Sequence, residues 1–205
     1  MTYEDLTKNF KNLNLKKIKK FLNFLLETNK TINLTSIIDE NEILDKHIYD
    51  SLLITKVYNF DNKIILDVGS GGGFPGIPLA IMYKNAHFVL IDSVYKKVNY
   101  LRKLVKLLNL KNVDVIWERV EKISGKYDII IARALAKLNK IVMLTKHLLN
   151  NNNVLIVLKS KQAFAELSDS QTILNKINLK LIKTQTEKLF NGDERINFIF
   201  RKTLN

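Results

Sequence analysis

The 205-residue chain contains no cysteine. Disulfide bridges and thiolate metal ligands are therefore excluded. Histidine is scarce too: His47, His87 and His147 are the whole set, none with a close ligand partner, so no metal centre is expected. No apolar run is long enough to cross a bilayer. The amino terminus, Met-Thr-Tyr-Glu-Asp, lacks the basic start and apolar core of a secretory signal. A cytoplasmic protein with no membrane attachment is expected. Glycine and proline are also few, and they are not scattered. Five of the seven glycines and both prolines fall in one stretch, LDVGSGGGFPGIPLAI, at residues 66–81.

Charge of one sign predominates. The formal net charge is +13, carried almost wholly by lysine, with Arg102, Arg119, Arg133, Arg195 and Arg201 as the only arginines. Such an excess suits a polyanionic partner such as nucleic acid. A lysine-, asparagine- and isoleucine-rich composition would produce it equally. The 46% hydrophobic content is ample for a sizeable core.

The texture of the chain changes near residue 60. Before it, Leu15, Ile18, Phe21, Leu22, Leu25 and Leu26 recur at helical spacing, with Lys16, Lys17, Lys19 and Lys20 mostly off the stripe. A second helix is predicted from Asp39, with Glu42 as capping-box partner, to about Tyr58. From Lys63 onward, short β-branched runs alternate with helical stretches. Strands are predicted at 64–68, 88–91, 113–116, 127–132 and 154–158, and helices at 75–83, 95–108, 141–149 and 163–177. Two last strands, 179–186 and 196–200, flank Asn191-Gly192-Asp193 and are expected to form an antiparallel hairpin at a sheet edge. The prediction is an α/β fold with a mostly parallel sheet: residues 1–60 as a helical cap and 61–205 as a Rossmann-like, ligand-binding domain.

The glycine loop follows the first strand, where parallel sheets bind ligands. A phosphate-cradling loop is excluded, because no lysine or threonine lies between Asp67 and Ile81. Gly71 to Gly76 satisfies the dinucleotide pattern G-x-G-x-x-G, which leaves a nicotinamide-dependent oxidoreductase as one reading. The overlapping pattern D-x-G-x-G-x-G, through Asp67, Gly69, Gly71 and Gly73, resembles the first motif of class I S-adenosylmethionine methyltransferases. The acid favours that second reading, since a carboxylate repels a pyrophosphate but welcomes an ammonium and a sulfonium. Asp92 ends the second strand, where an acceptor-only carboxylate can take both ribose hydroxyls.

Other candidates lie on the same rim. Arg133 ends the fourth strand and could grip a phosphate, a guanine edge or a cofactor carboxylate, or form a structural ion pair. Lys159 follows the fifth strand as a phosphate contact or a solvated lysine. His47, Asp50 and Ser51 share a helix face. With Asn33 and Thr35 they form either a polar wall over the pocket or a tie between cap and sheet. Phe74 could pack on the cofactor or stack on a base.

Several segments occur in an order that resembles the RsmG (GidB) family, the bacterial small-subunit rRNA guanine-N7 methyltransferases. They are NLTS (33–36), KHIYDSL (46–52), the 66–81 loop with its FPGIP extension, LIDSVYKKVNYLR (90–102), RVE (119–121), YDIIIARALA (127–136) and VLKS (157–160). The resemblance covers almost the whole chain. It implies a class I methyltransferase fold, S-adenosylmethionine as cofactor and S-adenosylhomocysteine as product. The implied substrate is 16S rRNA, within the small ribosomal subunit or an assembly intermediate, methylated at N7 of a guanosine in the 530 loop (guanosine 527). It implies cofactor contacts at Gly69, Phe74, Asp92, Ser93, Val120, Glu121 and Arg133, and a substrate-side role for Arg195 in the NGDER turn. A non-catalytic RNA-binding protein of the same fold is the remaining alternative. A monomer is expected. Guanine N7 carries no proton, so no general base is required, and Arg133 is the residue expected to position substrate and transition state.

Overall fold

The computed structural model of the chain describes residues 1–203. The cap comprises α1 (Tyr3–Asn9), α2 (Leu15–Asn29), α3 (Glu40–Ile43), a π-helical turn (Leu44–Tyr49), α4 (Asp50–Leu53) and a 3-10 turn (Ile54–Lys56). The remainder runs β1 (Ile64–Val68), α5 (Gly76–Met82), β2 (His87–Asp92), α6 (Tyr95–Leu107), β3 (Val113–Trp117), β4 (Ile129–Arg133), α7 (Leu138–Thr145), β5 (Val154–Ser160), α8 (Ala163–Asp169), α9 (Gln171–Lys176), β6 (Leu179–Lys188) and β7 (Glu194–Lys202). The strands form one seven-stranded sheet in the order β3-β2-β1-β4-β5-β7-β6. The first five are parallel, and β7 runs antiparallel to both β5 and β6. The hairpin thus extends the sheet at its edge, as the sequence predicts.

The apolar runs form strands because both sheet faces are covered. Alternate residues serve the two sides. Ile65, Leu90, Ile131 and Ile156 face a core shared with α5, α6 and the cap, in which Phe21, Leu22, Leu44 and Leu52 are fully buried. Leu66, Ile91, Ile130 and Leu155 face a second core under α7, α9 and the hairpin. The cap therefore packs as part of one layer on one face of the sheet.

Two predicted helices are interrupted. The helix from Asp39 keeps its N-cap, with the Asp39 carboxylate accepting from Glu42 N at 2.9 Å, while the Glu42 carboxylate pairs with Lys46. It then widens into the π turn over Leu44–Tyr49, where Asp50 N donates to Asp45 O. Two carbonyls there are also claimed by side chains: Arg133, on β4, donates to Lys46 O at 2.6 Å, and Ser51 Oγ, one turn further along, donates to His47 O at 2.6 Å. Insertions of this kind concentrate at functional sites. The predicted 163–177 helix breaks at Ser170 into α8 and α9, and Ser170 Oγ donates back to Glu166 O at 2.6 Å.

Candidate functional site

The loop after β1 is folded by its own acids. Asp92 Oδ2 accepts from Gly71 N at 3.0 Å and Oδ1 accepts from Val94 N at 2.8 Å, so one carboxylate joins the ends of β1 and β2. Gly69 has φ +72, which favours glycine, and a Cβ there would lie 2.6 Å from Leu135 Cδ1, so the end of that side chain would have to shift.

Asp67 is placed differently from the sequence expectation of a ligand-facing carboxylate. It is 1% exposed, turned beneath the loop, and accepts from Gly76 N at 3.1 Å through Oδ2, while Oδ1 has no hydrogen-bond partner. Burial pushes its pKa up from 3.8 to about 7. The cause of the reorientation is the tight start of α5: Gly76 has no side chain, and the Asp67 carboxylate fills that space.

At the carboxyl ends of β1, β2 and β4 lies a cavity of about 410 Å³. Gly69, Asp92, Ser93, Val120, Glu121 and Leu135 are among its walls. Of the residues expected to hold a cofactor, Asp67, Gly71, Gly73, Phe74 and Arg133 do not line it. Gly71 and Gly73 are bends of the loop, with φ +52 and +97. The Phe74 ring packs between Phe21 and His47, at centroid distances of 5.0 and 4.7 Å, with the Arg133 guanidinium 5.7 Å from its centroid.

A second cavity, about 330 Å³, opens beside the first and shares Ala134, Leu135 and Ala136 with it. Its charged walls are Asp50, Arg133, Lys159, Glu166 and Arg195. Arg133, Lys159 and Arg195 are therefore brought together, but as paired cations. Asp50, 3% exposed, lies between Arg133 Nε at 3.1 Å and Arg195 Nε at 3.3 Å. Arg133 also donates to Ser51 Oγ at 3.3 Å and to His47 Nδ1 at 2.9 Å. Lys159 Nζ is 2.7 Å from Glu166 Oε2 and donates to Ala136 O at 2.6 Å. Arg133 thus forms the ion pair that is one of its alternatives, whereas Lys159, paired with Glu166 and with its side chain 10% exposed, is not the solvated lysine that is one of its own.

Thr35 joins this network through His47. His47 Nε2 lies 2.7 Å from Thr35 Oγ1, and Nδ1 lies 2.9 Å from Arg133 Nη2 and 3.0 Å from Lys46 O; the tautomer that accepts from Arg133 at Nδ1 donates to Thr35 at Nε2. Burial, with the Arg133 charge second, depresses the His47 pKa from 6.5 to about 3, so the ring is neutral. Asn33 is exposed and takes no place in the network. Two acids escaped sequence reasoning, the half-buried Glu166 and the buried Asp45. Glu166 also accepts from Leu138 N at 2.7 Å, fastening α8 to the start of α7. Asp45 accepts from Phe190 N and Asn191 N, both at 3.0 Å, and pins the β6–β7 turn to the cap beside Arg195. No local pattern marks either acid.

Comparison with known proteins gives a family and a fold. The family described as GidB, rRNA small subunit methyltransferase G, matches residues 14–196. A relative from Mycoplasma capricolum, named ribosomal RNA small subunit methyltransferase G, is 39% identical over 202 residues, covering 95% of this chain and 87% of the relative. The protein of that name from Aster yellows witches'-broom phytoplasma is 36% identical, covering 97% and 98%. Among solved structures, M. jannaschii TYW2 in complex with AdoMet superposes with a TM-score of 0.59 at 20% identity, covering 77% of this chain and 76% of that one. A SAM-dependent methyltransferase from Aquifex aeolicus superposes with a TM-score of 0.59 at 19% identity, covering 79% and 94%. The fold is that of the class I methyltransferases.

Proposed function

The chain belongs to the GidB family of rRNA small subunit methyltransferases, and from that premise we propose that it transfers a methyl group from S-adenosylmethionine to N7 of a guanosine in the 530 loop of 16S rRNA, guanosine 527. The observation that carries the reading is the pair of cavities with one common wall, one suited to a nucleoside and the other ringed by charge.

The first cavity fits S-adenosylmethionine in volume and in donor set. Cofactor sites are largely apolar clefts with a few placed polar groups, and here Val68, Ile91, Val120 and Leu144 supply apolar walls. Asp92 would take the ribose hydroxyls with the lone pairs left over from Gly71 N and Val94 N. Glu121, at the 3-10 turn Val120–Lys122, offers a further acceptor. When bound, the cofactor supplies a methyl carbon made electrophilic by its sulfonium. Gly69 lets the loop backbone lie against it, and Leu135 closes the wall toward the second cavity.

The second cavity is where the guanosine and its phosphate would enter. Arg195 and Lys159 carry cationic charge at its edge, while Arg133 fixes the wall that both ligands would touch. Since guanine N7 offers a lone pair without a proton, the task of these residues is alignment rather than deprotonation. His47, held neutral, orients Arg133 and takes no proton in this scheme. The protein would act in the cytoplasm on the small subunit or an assembly intermediate, as a monomer.

The test is transfer of labelled methyl groups by the purified protein to small subunits from cells lacking the modification, with the site mapped by mass spectrometry of nuclease fragments. The reading requires N7-methylguanosine at position 527. Methylation elsewhere would refute the position. Calorimetric binding of NADH but not of S-adenosylhomocysteine would refute the cofactor and revive the oxidoreductase reading.

A further inference from the structure

We infer that Tyr95 and Trp117 form a platform on which an unpaired base of the RNA substrate stacks, at a nucleotide distinct from the one methylated; the inference rests on the rRNA reading above. The two rings lie 4.8 Å apart, tilted by 59°, and are 51% and 54% exposed. They are exposed aromatics without an evident structural need for exposure. Trp117 ends the edge strand β3, and Tyr95 opens α6. The indole is fixed by its edge, since Trp117 Nε1 donates to Ser93 O at 3.1 Å. A ring held in this way offers its face at low entropic cost, and every base has a face to stack.

The charge around the pair selects a nucleic acid rather than an apolar partner. The α6 helix carries Lys96, Lys97, Arg102, Lys103 and Lys106 and no acidic residue. It packs beside α2, which exposes Lys16, Lys19 and Lys20. The acids on and just after β3 are engaged: Asp114 pairs with His87 at 2.9 Å, and the Glu118 carboxylate accepts from Arg119 N at 2.9 Å.

Position makes the stacked base a neighbour and not the target. Ser93, Val94, Glu118 and Arg119, which flank the two aromatics, form the rim of the first cavity on the β3 side. The second cavity lies on the β4–β5 side, three to four strands away in the sheet order. At the usual strand spacing that is roughly 15–20 Å, beyond the reach of one base.

Trp117 is the only tryptophan, so its emission reports on this surface alone. The full chain, saturated with S-adenosylhomocysteine, is titrated with a single-stranded RNA oligonucleotide of mixed sequence and with 16S rRNA. Trp117 emission is expected to be quenched by both. Trp117→Ala and Tyr95→Ala are expected to bind RNA roughly 5- to 100-fold more weakly, Trp117→Phe to recover most of the loss, and all three to bind S-adenosylhomocysteine as the wild type does. Unquenched emission at RNA saturation, or unchanged RNA affinity in both alanine variants, overturns the inference. So does an equal loss of S-adenosylhomocysteine affinity, which would make the pair part of the cofactor rim. Quenching by intact small subunits but by neither RNA would assign the face to a ribosomal protein. A chain that shows the quench yet transfers no methyl group would leave the platform standing and refute the methyltransferase reading.

Discussion

Asp67→Asn should stabilise the protein, and increasingly so as pH rises. The carboxyl is fully buried, one oxygen bonded to Gly76 N and the other unpartnered. Its pKa rises from 3.8 to about 7 because burial disfavours the anion. The folded state therefore keeps a proton that the unfolded chain has already released. Stability from this group is fully present below pH 3.8 and is lost as pH climbs through about 7. At 1.36 kcal/mol per unit, that shift corresponds to about 4 kcal/mol as an upper bound. Asparagine retains the acceptor for Gly76 N and cannot ionise. Urea unfolding of both proteins between pH 4 and pH 8 measures the effect. The variants should be close at pH 4 and diverge to about 2–4 kcal/mol by pH 8. A difference that stays constant across this range would show that Asp67 ionises normally, and the placement beneath the loop would be refuted.

Asp92→Ala removes the carboxylate that two backbone amides share, and should weaken S-adenosylhomocysteine binding about 10- to 100-fold by calorimetry while the protein remains folded. Gly69→Ala places a methyl group 2.6 Å from Leu135 Cδ1 at φ +72, so cofactor affinity should fall, and adding Leu135→Ala should restore only part of it because the backbone strain of ~1–3 kcal/mol persists. Arg133→Ala leaves Asp50 buried with Arg195 as its remaining cation and should cost about 3 kcal/mol in urea unfolding; an unchanged midpoint would show that the network is not structural. His47→Gln should flatten the acid limb of the stability curve, since the folded pKa near 3 lies below the ordinary 6.5 and the histidine's contribution, present above 6.5, is lost as pH falls toward 3.

The strands β1, β2, β4 and β5 are legible because each is a short apolar run covered on both sides, a pattern that needs no distant information, and the half-exposed edge strand β3 is legible from its β-branched residues Val113, Val115 and Ile116. The loop is legible for the same reason: glycine and proline punctuate the chain locally. Asp92 is readable from its place at the end of β2. The orientation of Asp67 is not, because it depends on the space left by Gly76 nine residues later. The π turn is equally opaque. Its sequence, Leu-Asp-Lys-His-Ile-Tyr, is ordinary helix, and the side chain that takes the Lys46 carbonyl, Arg133, lies more than eighty residues away. Glu166 and Asp45 act as anchors only because α8 and the β6–β7 turn fold back against other elements. Sequence carries residue type and period, and what it misses here is which carboxylate tertiary contacts choose to bury.

If the proposed reaction runs across the wall between the two cavities, the charges around that wall would serve it by holding it in place. Arg133 has five N–H donors, and its three nitrogens are committed to Asp50, Ser51, His47 Nδ1 and the carbonyls of Lys46 and His47. It cannot also grip a phosphate without giving up part of that set, so its place is that of a fixed post where the wall begins. The next residue, Ala134, has φ +51, a conformation that costs a non-glycine residue about 1–2 kcal/mol. At the far end, Lys159 holds Ala136 O and Glu166 holds Leu138 N. Both ends are thus tied by charge-assisted bonds, which are shorter and stronger than neutral ones. In-line transfer across such a wall tolerates little misplacement. On the proposed reading, the Arg133–Asp50 and Lys159–Glu166 pairs would serve by keeping residues 134–136 in one conformation, and Arg195, held by Asp50, Asp193 and Glu194 O at the cavity edge, would exchange part of that set for an incoming phosphate.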